Sequence, residues 1–188
     1  MSDTPIKMNR AVFFDRDGTL NEEKHYLHKP DDVVLFQGIG SALNRLKKAG
    51  FKLIVVSNQS GVGRGYFTMK DVQSVNDRLN ELLSIDDAPI ERFYVAPEAP
   101  DQPSRGRKPS PQFLFDARDE FSLDLSQCFM IGDKLIDLEC GWNAAVKKSI
   151  LVRTGYGVET EKKHLAELKN AWVADTLSAA ADLILGSK

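Results

Sequence analysis

The stretch Ala11-Val12-Phe13-Phe14-Asp15-Arg16-Asp17-Gly18-Thr19-Leu20-Asn21 decides the fold of this 188-residue chain. Its first four residues form an unbroken apolar run, which is typical of a strand that is buried on both faces of a sheet. The run stops at two carboxylates that one residue separates, and Gly18 permits a sharp turn directly after them. A buried strand that ends in a charged turn favours a parallel sheet, which binds its ligands at the carboxyl ends of its strands.

Similar apolar runs recur along the chain, and stretches with a helical spacing of apolar residues separate them. This alternation predicts an α/β fold, a doubly wound, Rossmann-like parallel sheet with helices on both faces. Since no long insertion separates the elements, we expect a single domain over residues 1–188 without a separate cap domain. The predicted strands are 11–14, 53–56, 93–95, 128–131 and 149–152, and the predicted helices are 39–49, 68–84, 110–121, a segment after Asp133, 160–169 and 176–185.

The composition excludes several functional classes. Lys and Arg number 25 against 27 Asp and Glu, so the net charge of −2 provides no surface for non-specific nucleic-acid binding. No apolar run approaches the about 18 residues that a membrane helix needs, and residues 1–10 lack the apolar core of a signal peptide. Two cysteines do not make a disulfide framework. We therefore expect a cytoplasmic monomer that acts on a small molecule and binds neither nucleic acid nor a membrane.

Carboxylates follow two of the predicted strands at the edge where ligands bind. Asp15 and Asp17 would repel each other without a cation, and a bound divalent metal removes that conflict. Asp133 supplies a third oxygen from a neighbouring strand end, while Asp137, one helical turn later, either joins through water or orients the other ligands. Since neither His nor Cys accompanies these carboxylates, the set favours Mg²⁺ over zinc. The sequence thus predicts Mg²⁺ held by Asp15, Asp17 and Asp133, with Asp137 in support.

Residues suited to an anion lie at the same predicted edge. Ser57 and Asn58 follow the second strand, where a hydroxyl, an amide and backbone N–H groups can bind a phosphate. Arg107 and Lys108 lie just before the helix predicted at 110–121 and supply the cations that a phosphoryl group needs. Either pair alone would have an ordinary explanation as a turn or a surface pair. Together with the carboxylates they predict a phosphate-binding site.

These elements resemble the four motifs of the haloacid-dehalogenase-like phosphatase superfamily: DxDGT, a Ser or Thr after the second strand, a basic residue, and GDxxxD. The resemblance spans roughly residues 11–155. The matching residues are Asp15-Arg16-Asp17-Gly18-Thr19, Ser57, Lys108 and Gly132-Asp133-Lys134-Leu135-Ile136-Asp137.

The resemblance implies a mechanism of phosphoryl transfer. Asp15 would attack phosphorus and form an aspartyl-phosphate, and Asp17 would protonate the leaving oxygen and then help to activate water. The metal, Ser57, Asn58 and Lys108 would neutralise the charge on the equatorial oxygens. Members that transfer phosphate to water generally carry Asp two residues after the nucleophile, whereas the transport ATPases carry Thr, so Asp17 favours hydrolysis.

A finer resemblance is to the heptose-bisphosphate phosphatases. It implies removal of the C7 phosphate from D-glycero-D-manno-heptose 1,7-bisphosphate, a step toward lipopolysaccharide or another surface polysaccharide. Histidinol-phosphate phosphatases share a similar pattern, so that activity and a broader hydrolysis of small phosphomonoesters remain alternatives. A third alternative is a phosphate-binding module without catalysis, against which the intact nucleophile and acid argue. The segments that carry the resemblance are 15–21, 26–28, 57–67, 107–109, 132–134 and 152–155.

The chain departs from both families in the loop before the basic motif. Both families usually hold a structural zinc there with Cys and His, but residues 94–107 contain neither. We therefore expect no structural zinc and a loop held by proline stiffness and local packing. The site should be open, shaped by residues 21–30, 60–68 and 96–107. Further candidates for substrate contact are Asn21, His28, Arg64 and Lys134, each of which has an ordinary alternative as a solvated loop residue.

Overall fold

A computed structural model describes residues 8–187, in which six parallel strands form one sheet of order β3-β2-β1-β4-β5-β6. The strands are β1 (Arg10–Phe14), β2 (Phe51–Asn58), β3 (Arg92–Ala96), β4 (Phe129–Gly132), β5 (Lys148–Val152) and β6 (Ala171–Ala174). The helices are α1 (Ile39–Lys48), α2 (Ser60–Gly63), α3 (Met69–Ser84), α4 (Gln112–Phe121), α5 (Leu135–Asn143), α6 (Gly157–Lys163) and α7 (Leu177–Gly186).

The central strand β1 is buried on both faces, as its unbroken apolar run predicts. Because successive side chains of a strand point to opposite faces, Val12 and Phe14 pack into one core layer and Ala11 and Phe13 into the other. Helices α1, α3 and α7 contribute apolar residues to the first layer, and α4 and α5 to the second. The predicted doubly wound sheet with helices on both faces is confirmed.

The strand order reverses beside β1. From β1 the chain proceeds outward through β2 to β3, and β4 then returns to the free side of β1. At such a reversal the loops after the two central strands diverge and leave a crevice. Here the reversal brings the segments after β1 and β4 together, so Asp15 and Asp133 face the same crevice.

The structure differs from the sequence predictions near the C-terminus. The predicted helix 160–169 is two elements, α6 and a 3₁₀ turn at Glu167–Asn170, and β6 follows it without having been predicted. As an edge strand β6 pairs only with β5, and Trp172 remains half-buried. Its run Ala171-Trp172-Val173-Ala174 is as long as the one quoted for β1, but the sequence analysis did not assign it to a strand.

Two smaller differences concern helix starts. The helix predicted at 110–121 is α4, which begins at Gln112 with Pro111 at its N-cap; Ser110 Oγ still accepts from the Gln112 N–H at 3.3 Å. The short helix α2 after β2 was also not predicted.

Some predictions fall partly outside the part of the chain that the structure describes. Residues 1–7, most of the polar start that argued against a signal peptide, lie outside it, so a single domain over 1–188 stays a prediction. Within 8–187, no helix has both the length and the apolar character needed to cross a membrane.

A capping box starts α3, as the sequence indicates. The Asp71 N–H donates to Thr68 Oγ1 at 3.3 Å, and the Thr68 N–H donates to Asp71 Oδ2 at 2.7 Å. We expect Thr68→Ala to lower the free energy of unfolding by about 1 kcal/mol, because it leaves a helix N–H without its acceptor. Urea denaturation measures this change. Thr68→Ser retains the hydroxyl and is the control; an equal loss in both variants would contradict the assignment.

Candidate active site

The loops after β1 and β4 interlock. The Asp15 N–H donates to the carbonyl oxygen of Ile131 at 2.9 Å, which fixes the end of β1 against β4. Gly18 turns the chain with a φ of +86°, and a Cβ at this position would overlap the carboxylate of Asp133. Glycine is therefore required here both for its backbone conformation and for the close approach of Asp133.

Three buried carboxylates meet in the crevice. Oxygens of Asp15, Asp133 and Asp137 all lie within 4.8 Å of one another. Asp133 Oδ2 accepts from the Tyr156 N–H at 2.8 Å, whereas the buried Asp133 Oδ1 has no hydrogen-bond partner among the described residues. Burial, followed by the charges of Asp15 and Asp137, raises the pKa of Asp133 from its usual value of 3.8 to about 7. This concentration of negative charge fits a cation.

The chemistry of these ligands fits Mg²⁺. The group offers only carboxylate oxygens, which suit a hard divalent ion. Asp133 Oδ1 accepts no hydrogen bond among the described residues and has Lys134 Nζ as an ion-pair neighbour at 3.5 Å. Asp15 and Asp133, both predicted as ligands, are in the group. Asp137, predicted in a supporting position, lies equally close.

The side chain of Asp17, which the sequence analysis predicts to be a metal ligand, is directed away from the other three carboxylates. Its carboxylate accepts hydrogen bonds from Arg16, from Asn21 Nδ2 at 2.9 Å and from Gln59 Nε2 at 2.9 Å. Although burial opposes the charged form, the Arg16 guanidinium and these hydrogen bonds hold the pKa of Asp17 below its usual value. Its side chain is therefore absent from the group of three, but it still lines the cavity described below.

Lys108 joins two members of the carboxylate group. Its ammonium nitrogen lies 2.8 Å from Asp15 Oδ1 and 2.6 Å from Asp137 Oδ1. Burial disfavours the charged form, but the Asp137 and Asp15 carboxylates outweigh it and raise the pKa of Lys108 above its usual value. The buried side chain is therefore an ammonium ion at any moderate pH.

Asn58 fixes the backbone of Lys108. Asn58 Oδ1 accepts from the Lys108 N–H at 2.9 Å, and Asn58 Nδ2 donates to the Lys108 carbonyl oxygen at 3.1 Å. The side-chain amide predicted to bind phosphate is thus engaged at both ends. Its contribution in this arrangement is to position Lys108.

Gln59 is a site residue to which the sequence analysis assigned no role. Its Nε2 donates to Ser57 Oγ at 2.7 Å and to Asp17 Oδ2 at 2.9 Å, so it connects the predicted phosphate ligand with the predicted acid. A glutamine in a turn has no distinctive sequence signal. Only the meeting of β2 with the loop after β1 reveals the contact.

The cavity above the carboxylates has a volume of about 360 Å³. Of the four residues considered for substrate contact, Lys134 lines it and lies 3.4 Å from Glu23 Oε2. Asn21 is buried behind Asp17, and Arg64 is exposed outside the lining. His28 also lies outside it, with its ring stacked on Phe67 at 5.6 Å. The predicted site residues that do line the cavity are Asp15, Asp17, Ser57, Asn58, Arg107, Lys108, Lys134 and Asp137.

The loop 96–107 is held by polar contacts. Arg105 forms a bidentate ion pair with Asp116 of α4, one arm of which measures 2.6 Å. Ser104 Oγ donates to Glu98 Oε2 at 2.7 Å and accepts from the Arg107 N–H at 3.1 Å. The sequence analysis expected proline stiffness and local packing to hold the loop; it did not anticipate this ion pair or the turn around the Ser104 hydroxyl. These contacts place Arg107 at the cavity.

Two family models match the chain. The model described as HAD-hydrolase-like matches residues 106–180, and the model described as polynucleotide kinase 3 phosphatase matches residues 10–140. Between them they cover the strands that carry Asp15, Ser57 and Asp133.

Alignments with relatives that bear the name of an activity cover most of the chain. A D-glycero-D-manno-heptose-1,7-bisphosphate 7-phosphatase of Chlorobaculum tepidum is 37% identical and covers 94% of this chain and 95% of its own. The D-glycero-beta-D-manno-heptose-1,7-bisphosphate 7-phosphatase of Escherichia coli K12 is 35% identical over 89% of this chain and 90% of its own. The crystal structure of a D,D-heptose 1,7-bisphosphate phosphatase from B. bronchiseptica, complexed with magnesium and phosphate, superposes with a TM-score of 0.86 at 28% identity, covering 96% of this chain and all of its own.

The carboxylate group predicts how stability depends on pH and Mg²⁺. Because the pKa of Asp133 is raised to about 7, its protonated form is favoured in the fold and stability falls as the pH rises from about 4 to about 7. Without Mg²⁺ at pH 8, we expect Asp133→Asn to be more stable than the wild type by roughly 1–3 kcal/mol. Mg²⁺ should stabilise the wild type much more than the variant.

Urea denaturation at pH 4 and pH 8, with and without Mg²⁺, measures these differences. The control is Asp182→Asn, which makes the same change at an exposed position on α7 and should show neither effect. A wild type whose stability at pH 8 does not respond to Mg²⁺ would contradict the metal assignment.

The loop contacts give a separate prediction. We expect Arg105→Ala to raise KM for a phosphorylated substrate by a factor of up to about 5, because loss of the ion pair with Asp116 loosens the loop that carries Arg107. Arg118→Ala, which removes an arginine ion-paired with Asp119 on α4, is the matched control and should leave KM unchanged.

Metal analysis of the purified protein should find no stoichiometric zinc. One zinc per chain would show that the loop is held differently.

Proposed function

The chain belongs to the family of D-glycero-D-manno-heptose-1,7-bisphosphate 7-phosphatases within the HAD-like hydrolases, and we propose that it removes the 7-phosphate from this sugar bisphosphate. One observation carries the proposal: Asp15 pairs with Lys108 at 2.8 Å beside Asp133, at the base of a cavity that Ser57 lines. The relatives that share this chain over most of its length bear the name of that activity.

The nucleophile of the proposed reaction is the Asp15 carboxylate, which is paired with the Lys108 ammonium. Asp15 Oδ1 is held by Lys108, which leaves the other carboxylate oxygen to attack the phosphorus atom. The new oxygen–phosphorus bond forms as the bond from phosphorus to the sugar oxygen breaks, giving an aspartyl-phosphate. The Lys108 ammonium neutralises charge on the transferring group. Mg²⁺, held by Asp15 and Asp133 when bound, supplies further positive charge at the same place.

Asp17 moves the protons in the proposed reaction. Because Arg16 holds the pKa of Asp17 below its usual value, the carboxylate is ionised in the free site and takes up a proton from water when the phosphate anion binds beside it. Asp17 gives this proton to the departing sugar oxygen in the first step and accepts one from water in the second, as that water displaces Asp15 from phosphorus. The products are the dephosphorylated sugar and inorganic phosphate. Asn21 and Gln59 hold the Asp17 carboxylate at the edge of the cavity.

The cavity suits a small substrate that carries two phosphate groups. Its volume of about 360 Å³ lies within the range for small-molecule sites. Arg107 and Lys134 line it beside the buried Lys108, so three cations are available to phosphate groups in a cavity that Asp15, Asp17, Glu23 and Asp137 also line. The segments over the site are the loops 21–30, 60–68 and 96–107, and the site therefore remains open to solvent. We propose further that the enzyme acts as a cytoplasmic monomer in the synthesis of a surface polysaccharide.

Phosphate release tests the proposal. We expect kcat/KM for D-glycero-D-manno-heptose 1,7-bisphosphate to exceed that for histidinol phosphate and for a 3′-phosphorylated oligonucleotide by at least about 100-fold, and to require Mg²⁺. Asp15→Asn should abolish turnover, since the amide cannot act as the nucleophile. Asp182→Asn, exposed on α7, is the matched control and should retain full activity.

The alternatives give distinct outcomes. Equal or higher kcat/KM for histidinol phosphate would replace the proposed substrate while keeping the chemistry. Comparable rates on all phosphomonoesters would indicate a broad hydrolase. No hydrolysis of any phosphomonoester by the Mg²⁺-loaded protein would leave only phosphate binding.

A further inference from the structure

Arg16 is a fully buried cation at the centre of the molecule. It lies between Asp15 and Asp17 in sequence, and its side chain is 0% exposed. Taking a guanidinium out of water costs several kcal/mol unless its donors are satisfied, and a buried ion pair seldom adds net stability relative to apolar packing. A buried arginine next to a site residue is therefore better explained by the position it imposes than by the stability it contributes.

The guanidinium holds the Asp17 carboxylate on one side. Arg16 Nη2 donates to Asp17 Oδ2 at 2.8 Å, and Arg16 Nε lies 3.2 Å from both carboxylate oxygens. This contact joins neighbouring residues, whose side chains would diverge in an extended strand. It forms here because the backbone turns: the Arg16 carbonyl oxygen accepts the N–H groups of the three residues Thr19, Leu20 and Asn21.

The other end of the guanidinium is fixed by Asn76. Arg16 Nη1 donates to Asn76 Oδ1 at 3.0 Å, and Asn76 is 2% exposed in the middle of α3. Polar side chains are rarely buried on the core face of a helix without a partner, and Arg16 is the partner here. Helix α3 is thereby coupled to the Asp17 carboxylate through a single guanidinium.

A chain of hydrogen bonds continues from Asp17 to the predicted phosphate ligand. Gln59 donates to Asp17 Oδ2 and to Ser57 Oγ, so Asn76, Arg16, Asp17, Gln59 and Ser57 form one buried or half-buried series. Arg16 Nη1 donates to Asn76, Arg16 Nη2 donates to Asp17, and Gln59 Nε2 donates to both Asp17 and Ser57. Rotation of the Asp17 carboxylate would break bonds on both sides of it.

We infer that Arg16, anchored by Asn76, is a positioning residue that fixes the Asp17 carboxylate for its proton transfers. The inference rests on the proposed function of Asp17. Loss of Arg16 should slow phosphoryl transfer to Asp15 more when the leaving oxygen needs a proton than when it does not. A displacement of about 1 Å at a catalytic group can cost roughly 100-fold in rate.

Two substrates with different leaving groups separate positioning from stability. A sugar phosphate releases an alkoxide that needs a proton, whereas p-nitrophenyl phosphate releases a stable phenolate that does not. Removing the guanidinium also raises the pKa of Asp17, which favours its acid form, but we expect the loss of position to outweigh this effect. For Arg16→Met we therefore expect kcat/KM to fall about 100-fold for the sugar phosphate and less than about 3-fold for p-nitrophenyl phosphate. Arg16→Lys, which keeps the charge but cannot reach Asp17 and Asn76 together, should fall between Arg16→Met and the wild type.

Asn76→Ala provides a variant that touches no cavity residue. We expect the same selective loss, of about 10-fold, because the guanidinium loses its anchor. The matched control is Asn80→Ala, one turn along α3, whose amide binds the backbone of Ile90 at 2.7 Å and 3.2 Å. It should lower the melting temperature while leaving the ratio of the two kcat/KM values unchanged.

The outcomes decide the inference. If Arg16→Met and Asn76→Ala reduce both substrates by the same factor, or leave both unchanged, the positioning role is overturned. If Arg16→Met does not fold, Arg16→Lys and Asn76→Ala carry the test. If the wild type hydrolyses p-nitrophenyl phosphate but not the heptose bisphosphate, the proposed substrate fails, and the same ratio is then measured with glycerol phosphate as the alkyl substrate.

Discussion

The ammonium of Lys108 between two buried carboxylates is the interaction on which the rest of the site depends. At 2.8 Å from Asp15 and 2.6 Å from Asp137, it offsets part of the repulsion that would otherwise separate the strand ends after β1 and β4. Lys134 adds a second cation 3.5 Å from Asp133 Oδ1, but two cations do not balance three acids. Asp133 retains a raised pKa and an oxygen that accepts no hydrogen bond among the described residues. The fold therefore holds a charge imbalance in which a divalent cation fits.

The strand order explains why these charges meet. Asp15 and Asp133 are separated by more than a hundred residues of sequence, yet β1 and β4 are hydrogen-bonded neighbours. Lys108 follows β3 at the far side of β2, and its long loop brings it back over the sheet, where Asn58 at the end of β2 fixes its backbone. The reversal of strand order creates the crevice, and the loop supplies its cation.

Much of this could be predicted from the sequence, for physical reasons. Unbroken apolar runs that end in polar turns predicted β1, β2, β4 and β5. The edge strand β6 was missed although Ala171–Ala174 is a run of similar length. The carboxylates and Lys108 were found because their residue types carry chemistry. The direction of the Asp17 side chain, the partner of Asn58 and the buried pair Arg16–Asn76 were not, since each depends on a tertiary contact.

The end of β2 connects the components of the site. Asn58 fixes Lys108, and the next residue, Gln59, fixes both Asp17 and Ser57, so two adjacent amides determine the spacing between the cation, the acid and the hydroxyl. None of these bonds involves the exposed parts of the loops 21–30 or 96–107. Changes in those loops, such as the absence of Cys and His from 94–107, can therefore alter which leaving group enters without disturbing the groups that act on phosphorus.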